Sequence, residues 1–176
     1  MRIRHYRPEY LSAIVQIQHA SAEADGTEVR NGTDIESWLQ DLEAEANGFV
    51  VTDDDDELNT WGQAGTLDGL EGEVAGYTVV QLQRNQSGYH FVCQGTVSPQ
   101  YRRQHGGRTL LVGALNRARL LASDFEFEAE EQGIPIYFEA LLPVADQGSI
   151  YLATKCEMTP TNESAPSGMC LYRREL

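Results

Sequence analysis

The chain has 176 residues, 41% of them hydrophobic, and sets 13 Lys and Arg against 27 Asp and Glu for a formal charge of -14. At roughly 150 residues or more a chain buries about 70% of its unfolded surface, so one domain over residues 1–176 with a full core is expected. The acidic balance opposes non-specific attraction to nucleic acid or anionic lipid; it suits a solvated surface or the gathering of cationic partners such as amines.

The opening Met1-Arg2-Ile3-Arg4-His5-Tyr6 lacks the apolar stretch of a secretory signal, and Ile3 to Tyr6 suits a short strand. Pro8 can open a helix in which Tyr10, Leu11, Ile14, Val15 and Ile17 recur at near-helical spacing. Asp34 or Thr33 is the expected cap of a second helix carrying Ile35, Trp38, Leu39 and Leu42 and stopped by Asn47-Gly48. Phe49 to Thr52 reads as a strand running into the acidic Asp53 to Glu57. That run lacks the spaced carboxylates of a calcium loop and is expected to be solvated. Trp61 stands in the polar, glycine-rich connection that follows, either folded back on the body or forming a contact surface.

Glu73 to Gln83 and Tyr89 to Val97 alternate as strands on either side of the turn Asn85-Gln86-Ser87-Gly88, which predicts an antiparallel hairpin. Gly95 permits a bulge or a close backbone approach near its end. From Gly107 onward Leu110, Leu111, Ala114, Leu115, Ala118 and Leu121 line one helical face. Asp124 to Glu131 extends that helix or adds a turn, ended by Gly133 and Pro135 before a strand over Ile136 to Leu142. A short helix over Asp146 to Lys155 and a last strand over Gly168 to Arg173 complete the order. The result is a mixed α/β sheet with helices on both faces. About 18 apolar residues in a row would be needed to span a bilayer and none occur, so a soluble cytoplasmic protein, monomer or homodimer, is expected. Cys93, Cys156 and Cys170 are odd in number and widely spaced, which indicates neither a disulfide framework nor a metal site; they read as small core residues.

The stretch Thr96-Val97-Ser98-Pro99-Gln100-Tyr101-Arg102-Arg103-Gln104-His105-Gly106-Gly107-Arg108-Thr109 carries the chemistry. A strand end, a turn and a helix start place unpaired backbone N–H groups and the positive end of the helix dipole together, with Arg102, Arg103 and Arg108 around them. A pyrophosphate would satisfy both features; the alternative is a Gly-rich turn whose arginines pair with some of the many acidic side chains. Neither the Walker spacing nor the Gly-x-Gly-x-x-Gly of a dinucleotide fold is present.

The run Val97-x-Pro99-x-Tyr101-Arg102-x-x-His105-x-Gly107-Arg108-x-Leu110-Leu111 resembles motif A of the GCN5-related N-acetyltransferases (GNAT), Val-x-Pro-x-x-Arg-x-x-Gly-x-Gly/Ala before an apolar helix. Ile3-Arg4-x-Tyr6-Arg7-Pro8-Glu9-Tyr10-Leu11 resembles that family's first strand and helix, and the element order agrees over nearly the whole chain. The resemblance implies a mostly antiparallel sheet splayed between its fourth and fifth strands, with acetyl-CoA in the cleft as acyl-donor co-substrate and an amine as acceptor. Backbone around Thr96 and Val97 would then meet the pantetheine arm, and Arg102, Arg103, Gln104, His105, Gly106, Gly107, Arg108 and Thr109 would cradle the pyrophosphate.

His105 departs from the pattern, standing where the family carries a permissive glycine. Tyr151-Leu152-Ala153-Thr154-Lys155-Cys156-Glu157 resembles the family's Tyr-x-x-x-Gly-Phe, which puts Tyr151 on the tyrosine that in many members protonates the leaving thiolate, the alternative being a helix tyrosine packed on the core, and Lys155 at a left-handed helix end. A general base is sought at Glu139, with Tyr89 and His90 as alternatives, or in a water relay. Cys93 has no sequence-placed His and Asp partners for an acyl-enzyme role. Direct acetyl transfer to an amine of a small molecule or protein is the leading expectation. A degenerate CoA-binding sensor or interaction module, motivated by His105 and Lys155-Cys156, comes second, and a CoA-independent interaction domain third.

Overall fold

The computed structural model describes residues 1–54 and 72–176; the expectations for Trp61, Asp55 and Asp56 lie outside the described residues. Strand β1 (Arg2–His5) leads through a 3-10 turn at Pro8–Tyr10 into helix α1 (Leu11–Asp25), the fixed φ of proline suiting the first turn. Gly26, with φ of 65°, closes α1 as a left-handed cap. Helix α2 (Gly32–Asp41) starts earlier than expected, because Asn31 is its cap. The Asn31 side chain accepts from the Asp34 amide at 2.8 Å while its own NH2 donates to the Asp34 carboxylate at 2.6 Å. The helix also stops at Asp41 instead of running to Asn47: Glu43 turns left-handed, and a separate short helix α3 (Ala44–Asn47) follows.

The remaining elements follow the expected order with slightly shifted ends: β2 (Gly48–Asp53), β3 (Glu73–Asn85), β4 (Gly88–Val97), α4 (Gly106–Ala122), α5 (Glu126–Gln132), β5 (Ile136–Pro143), α6 (Gln147–Lys155) and β7 (Met169–Glu175). A two-residue β6 (Thr159–Pro160) pairs with β7 and had no signal in the sequence. The strands form one seven-stranded sheet in the order β1-β2-β3-β4-β5-β7-β6, antiparallel throughout except for the central parallel pair β4 and β5.

Alternation along the strands divides the core between the two faces of the sheet. Tyr89, Phe91 and Cys93 of β4 and Phe138 and Ala140 of β5 pack against Leu111, Ala114, Leu115 and Ala118 of α4 and Ala153 of α6. On the other face Val50, Tyr77 and Val79 pack against Ile14 and Ile17 of α1 and Ile35 and Leu39 of α2. Each fully buried side chain of Ile, Leu or Phe size contributes about 1.5–3 kcal/mol, so both helical layers are held mainly by apolar burial. Of the cysteines only Cys93 is a full core residue, Cys156 and Cys170 being half-buried and all three free. No helix of the described residues is long and apolar enough to cross a membrane.

Asp54 departs from the solvated role expected of its acidic run. Its side chain is 7% exposed, accepts from Arg4 at 2.7 Å and from the Gly72 amide at 3.0 Å, and ties the end of β2 to β1 and to the start of β3. Burial works to raise its carboxyl pKa, but the Gly72, Thr52 and Arg4 hydrogen bonds outweigh it and hold the group below the ordinary aspartate value.

The end of α6 also differs from expectation. Lys155 stays helical and the left-handed position falls on Glu157, with φ of 58°. The Glu157 amide donates to the Thr154 carbonyl at 3.1 Å and the Met158 amide to the Ala153 carbonyl at 3.0 Å, the paired bonds of a Schellman cap, while Met158 is buried beside Ala153. A left-handed non-glycine residue costs about 1–2 kcal/mol. Glu157→Gly is therefore expected to stabilise the protein by about 1 kcal/mol and raise Tm by about 2–4 °C, measured by calorimetry.

Candidate functional site

Parallel pairing between β4 and β5 runs from Tyr89 with Ile136 to Cys93 with Ala140 and then ends, although β4 continues to Val97 and β5 to Pro143. Beyond that point β4 pairs only with β3, and β5 pairs only with β7 through Leu141 with Leu171 and Pro143 with Met169. The sheet is splayed open there. Gly95 explains how β4 can follow β3 so closely: a Cβ at this position would stand 2.1 Å from the Tyr77 carbonyl oxygen and 2.5 Å from the Thr78 Cα. The Ser98 amide donates to the Ala75 carbonyl at 2.8 Å. By alternation Thr96 and Gln94 also turn their backbone groups to β3, whereas those of Gly95 and Val97 turn toward the opening. Of the two residues expected to meet an extended ligand, Val97 turns its amide toward the opening while its carbonyl is already bonded by Ser21 and Arg102, and Thr96 lines the cleft.

After Val97 a 3-10 turn at Pro99–Tyr101 leads to α4 through Arg103 and His105, both left-handed at φ of 66° and 67°. The amides from Arg103 to Arg108 have no acceptor among the described residues, the first helical bond being Thr109 to the His105 carbonyl at 3.0 Å. Residues of alternating handedness turn successive N–H groups into one concavity, and the helix dipole adds about half a positive charge there. Gly106 is buried at the helix start beside Met1, Val51 and Val97, and a Cβ at Gly107 would make only ordinary contact with Leu152 of α6 at 3.7 Å. His105 accordingly takes the backbone geometry that the expected glycine would take, and its side chain is exposed. Arg108 and Gln104 are exposed beside the concavity.

Arg102 is engaged elsewhere. Its guanidinium forms a bidentate pair with Asp25 at 2.6 and 2.7 Å, and its Nε donates to the Val97 carbonyl at 3.2 Å. Ser21 of α1 donates to the same carbonyl at 3.2 Å. Arg102 thus pins the loop to the end of β4 and to the end of α1. The exposed Arg103 reaches Asp146, the N-cap of α6, at 3.4 Å. Tyr151 lies on the outer face of α6, 64% exposed, with Lys155 Nζ 5.4 Å from its ring centre.

Glu139 is 3% exposed and lies in the paired part of β5, opposite Val92. His90 Nδ1 donates to its Oε1 at 2.9 Å, Arg173 donates to the same oxygen, and His90 Nε2 lies 2.9 Å from the Ser87 hydroxyl. This cluster joins β4, β5 and β7, and Glu139 is not among the residues lining the cleft; Tyr89 packs on the opposite, α4 face.

On the α1 and α2 face the opening forms a cleft of about 140 Å³. Tyr77, Gln94, Gly95 and Thr96 line one side and Leu141 and Pro143 the other, with Asp25, Arg30 and Trp38 contributed by α1, α2 and the segment between them. Gly168, at φ of 77°, lies in the β6–β7 connection, and a Cβ added there would stand 3.3 Å from the Thr27 side chain on the α1–α2 connection, so the two loops meet beside the cleft. A larger open recess of about 410 Å³ lies by Tyr137, Arg173 and Arg174, away from the parting of the strands. Tyr77 had no functional signal in the sequence, where it reads as a strand residue. Among the described residues no group of three or more His, Cys, Asp or Glu is placed to hold a metal ion.

A parted central strand pair with a helix N-terminus beside it invites comparison with solved proteins. A GCN5-related N-acetyltransferase from Sphaerobacter thermophilus superposes with a TM-score of 0.61 at 18% identity over 90% of this chain. A ribosomal-protein-alanine N-acetyltransferase from Brucella melitensis matches over 100% of both chains with a TM-score of 0.61 at 16% identity. The chain has the fold of the GNAT superfamily. It spans 43% of the Sphaerobacter protein. A GNAT phosphinothricin acetyltransferase from Sinorhizobium meliloti, solved with acetyl-CoA, matches over 99% of this chain and 88% of its own with a TM-score of 0.63 at 15% identity. No protein-family model and no curated protein matches the sequence.

Within this GNAT fold two buried groups give a pH signature. Burial pushes the Cys93 thiol up to about 11 against a weaker opposing hydrogen bond from Thr78, and burial pushes the Tyr77 phenol up to about 12 against the Arg30 charge. Each releases its proton more readily when unfolded, where the ordinary values are 9.0 and 10.0. Stability is therefore full below pH 9.0 and falls as the pH rises toward about 12. Urea unfolding across this range should show the fall, and Cys93→Ala with Tyr77→Phe should flatten it.

Proposed function

We propose that the protein is an acetyl-CoA-dependent N-acetyltransferase that passes the acetyl group directly to the amine of a small molecule or protein. The observation that carries this reading is the run of acceptor-free amides from Arg103 to Arg108 at the start of α4, beside the parting of β4 and β5. That concavity suits a pyrophosphate: it is lined by N–H groups, the exposed Arg108 stands beside it, Arg103 reaches from it to Asp146, and Gly107 leaves the backbone approachable. Acetyl-CoA would supply an activated acyl carbon. The Val97 amide and the Gly95 backbone would hold an extended arm along the open edge of β4, and the cleft would present the amine from the α1 and α2 face.

The chain's own groups then have separate tasks. Tyr151, on the helix that abuts Gly107, is the candidate proton donor to the leaving thiolate. We assign Glu139 to holding β4, β5 and β7 together, since its Oε1 is occupied by His90 and Arg173 and it does not line the cleft. Proton removal from the amine then falls to a water relay. Cys93, buried and held in its thiol form, is unsuited to an acyl-enzyme step. The motives for a degenerate module weaken, because His105 adopts the left-handed backbone and α6 relocates its left-handed cap to Glu157.

Calorimetric titration of the folded protein with acetyl-CoA tests the reading, and absence of binding would overturn it. Arg108→Ala is expected to weaken that binding about fivefold through loss of one exposed cation. Arg102→Ala is expected to cost about 2 kcal/mol of stability by stranding Asp25, read by urea unfolding. Tyr151→Phe should lower kcat about 100-fold with the acetyl-CoA dissociation constant unchanged.

A further inference from the structure

We infer that the acceptor taken by the cleft is an amine that also bears a carboxylate, bound between the Arg30 guanidinium and the Tyr77 hydroxyl. The inference rests on the transferase reading of this cleft and adds the acceptor's chemical class.

Arginines in this acidic chain are mostly committed to carboxylates: Arg4 to Asp54, Arg84 to Glu128, Arg102 to Asp25 and Arg173 to Glu139 and Glu163. Arg30 lines the cleft and its guanidinium has no carboxylate or hydrogen-bond partner among the described residues. Its place is nevertheless built. The guanidinium carbon lies 5.4 Å from the Trp38 ring centre. The Arg30 amide donates to Gln18 Oε1 at 3.3 Å, and the Arg30 carbonyl meets His19 Nε2 at 2.7 Å. A planar cation resting on an indole is preorganised for a two-oxygen anion.

Tyr77 supplies the second observation. It is 5% exposed, lines the same cleft, and its hydroxyl has no hydrogen-bond partner among the described residues. Among the described residues the fully enclosed side-chain polar atoms without a partner are those of Tyr89 and Arg174, so the Tyr77 hydroxyl reaches the cleft, where it can donate to a ligand oxygen. One carboxylate oxygen on Arg30 and the other on Tyr77 uses both groups, and one cation in the lining of the cleft suits a monoanion. Glu28, on the same rim and without an ion-pair partner among the described residues, offers the opposite sign to the amine end.

The test uses matched probes that differ by the carboxylate: glycine and methylamine, L-phenylalanine and phenethylamine, L-lysine and 1,5-diaminopentane. Binding to the full chain is read by saturation-transfer NMR, and turnover by thiol release from acetyl-CoA. The carboxylated member of at least one pair is expected to bind about tenfold tighter. Arg30→Met should bring that pair within about twofold while leaving acetyl-CoA affinity unchanged, Arg30→Lys should retain part of the preference, and Tyr77→Phe should reduce it. Equal binding within every pair, no binding of any carboxylated probe, or a preference that survives Arg30→Met would overturn the inference. A carboxylate preference in a protein that does not bind acetyl-CoA would uphold the anion subsite and overturn the transferase reading. Acetyl-CoA binding without any carboxylate preference would do the reverse.

Discussion

Between Gln94 and Val97, β4 exchanges backbone hydrogen bonds with β3 alone, because β5 has turned away to follow β7. A parallel pair at the centre of a sheet normally has both edges satisfied, so strands that stop pairing leave unpaired backbone groups facing an opening. Two residues make the parting tenable. Gly95 admits the close approach of β4 to the Tyr77 and Thr78 backbone, and Pro143, at the end of β5, has no N–H to leave unpaired. The cleft, the exposed edge of Val97 and the position of Tyr77 all follow from that divergence.

Arg102 braces one side of the opening. By binding Asp25 and the Val97 carbonyl together it couples the loop before α4 to the end of β4 and to α1. The acceptor-free amides on one side of the sheet and the cleft on the other are thereby held relative to one another. The Glu139 cluster performs the complementary task in the paired part of the sheet, where His90 and Arg173 join three strands through one buried carboxylate. A buried carboxylate is tolerated there because two donors compensate its desolvation.

Much of this was legible in the residues. The hairpin over β3 and β4, the helix over α4 and the order of elements were all marked by alternation, turn residues and helical spacing, and the structure keeps them. The concentration of amides and arginines before α4 was readable because a strand–turn–helix junction leaves N–H groups unpaired wherever it occurs. Helix ends were less legible. Thr33 and Asp34 carry as strong a capping signal as Asn31, and what selects Asn31 is its reciprocal bonding with Asp34, which depends on three-dimensional placement. The left-handed position near α6 moved from Lys155 to Glu157 because the buried Met158 and Ala153 fix where the chain must turn. Asp54 looked like one of several solvated acids, and only the folded register brought Arg4 and Gly72 to it.

The sequence by itself determined the period of each element and the gathering of arginines and glycines at Thr96 to Thr109, because periodicity and loop composition are local properties. It could not assign partners to charged and polar side chains, since those partners lie far along the chain: Arg102 with Asp25, Glu139 with His90 and Arg173. Tertiary structure alone decided that Arg102 serves as a tie and that Glu139 is withdrawn from the cleft. It alone brought Tyr77 of β3 and Arg30 of the α1–α2 connection to one opening, because that meeting requires the sheet to be assembled and its central strands to part.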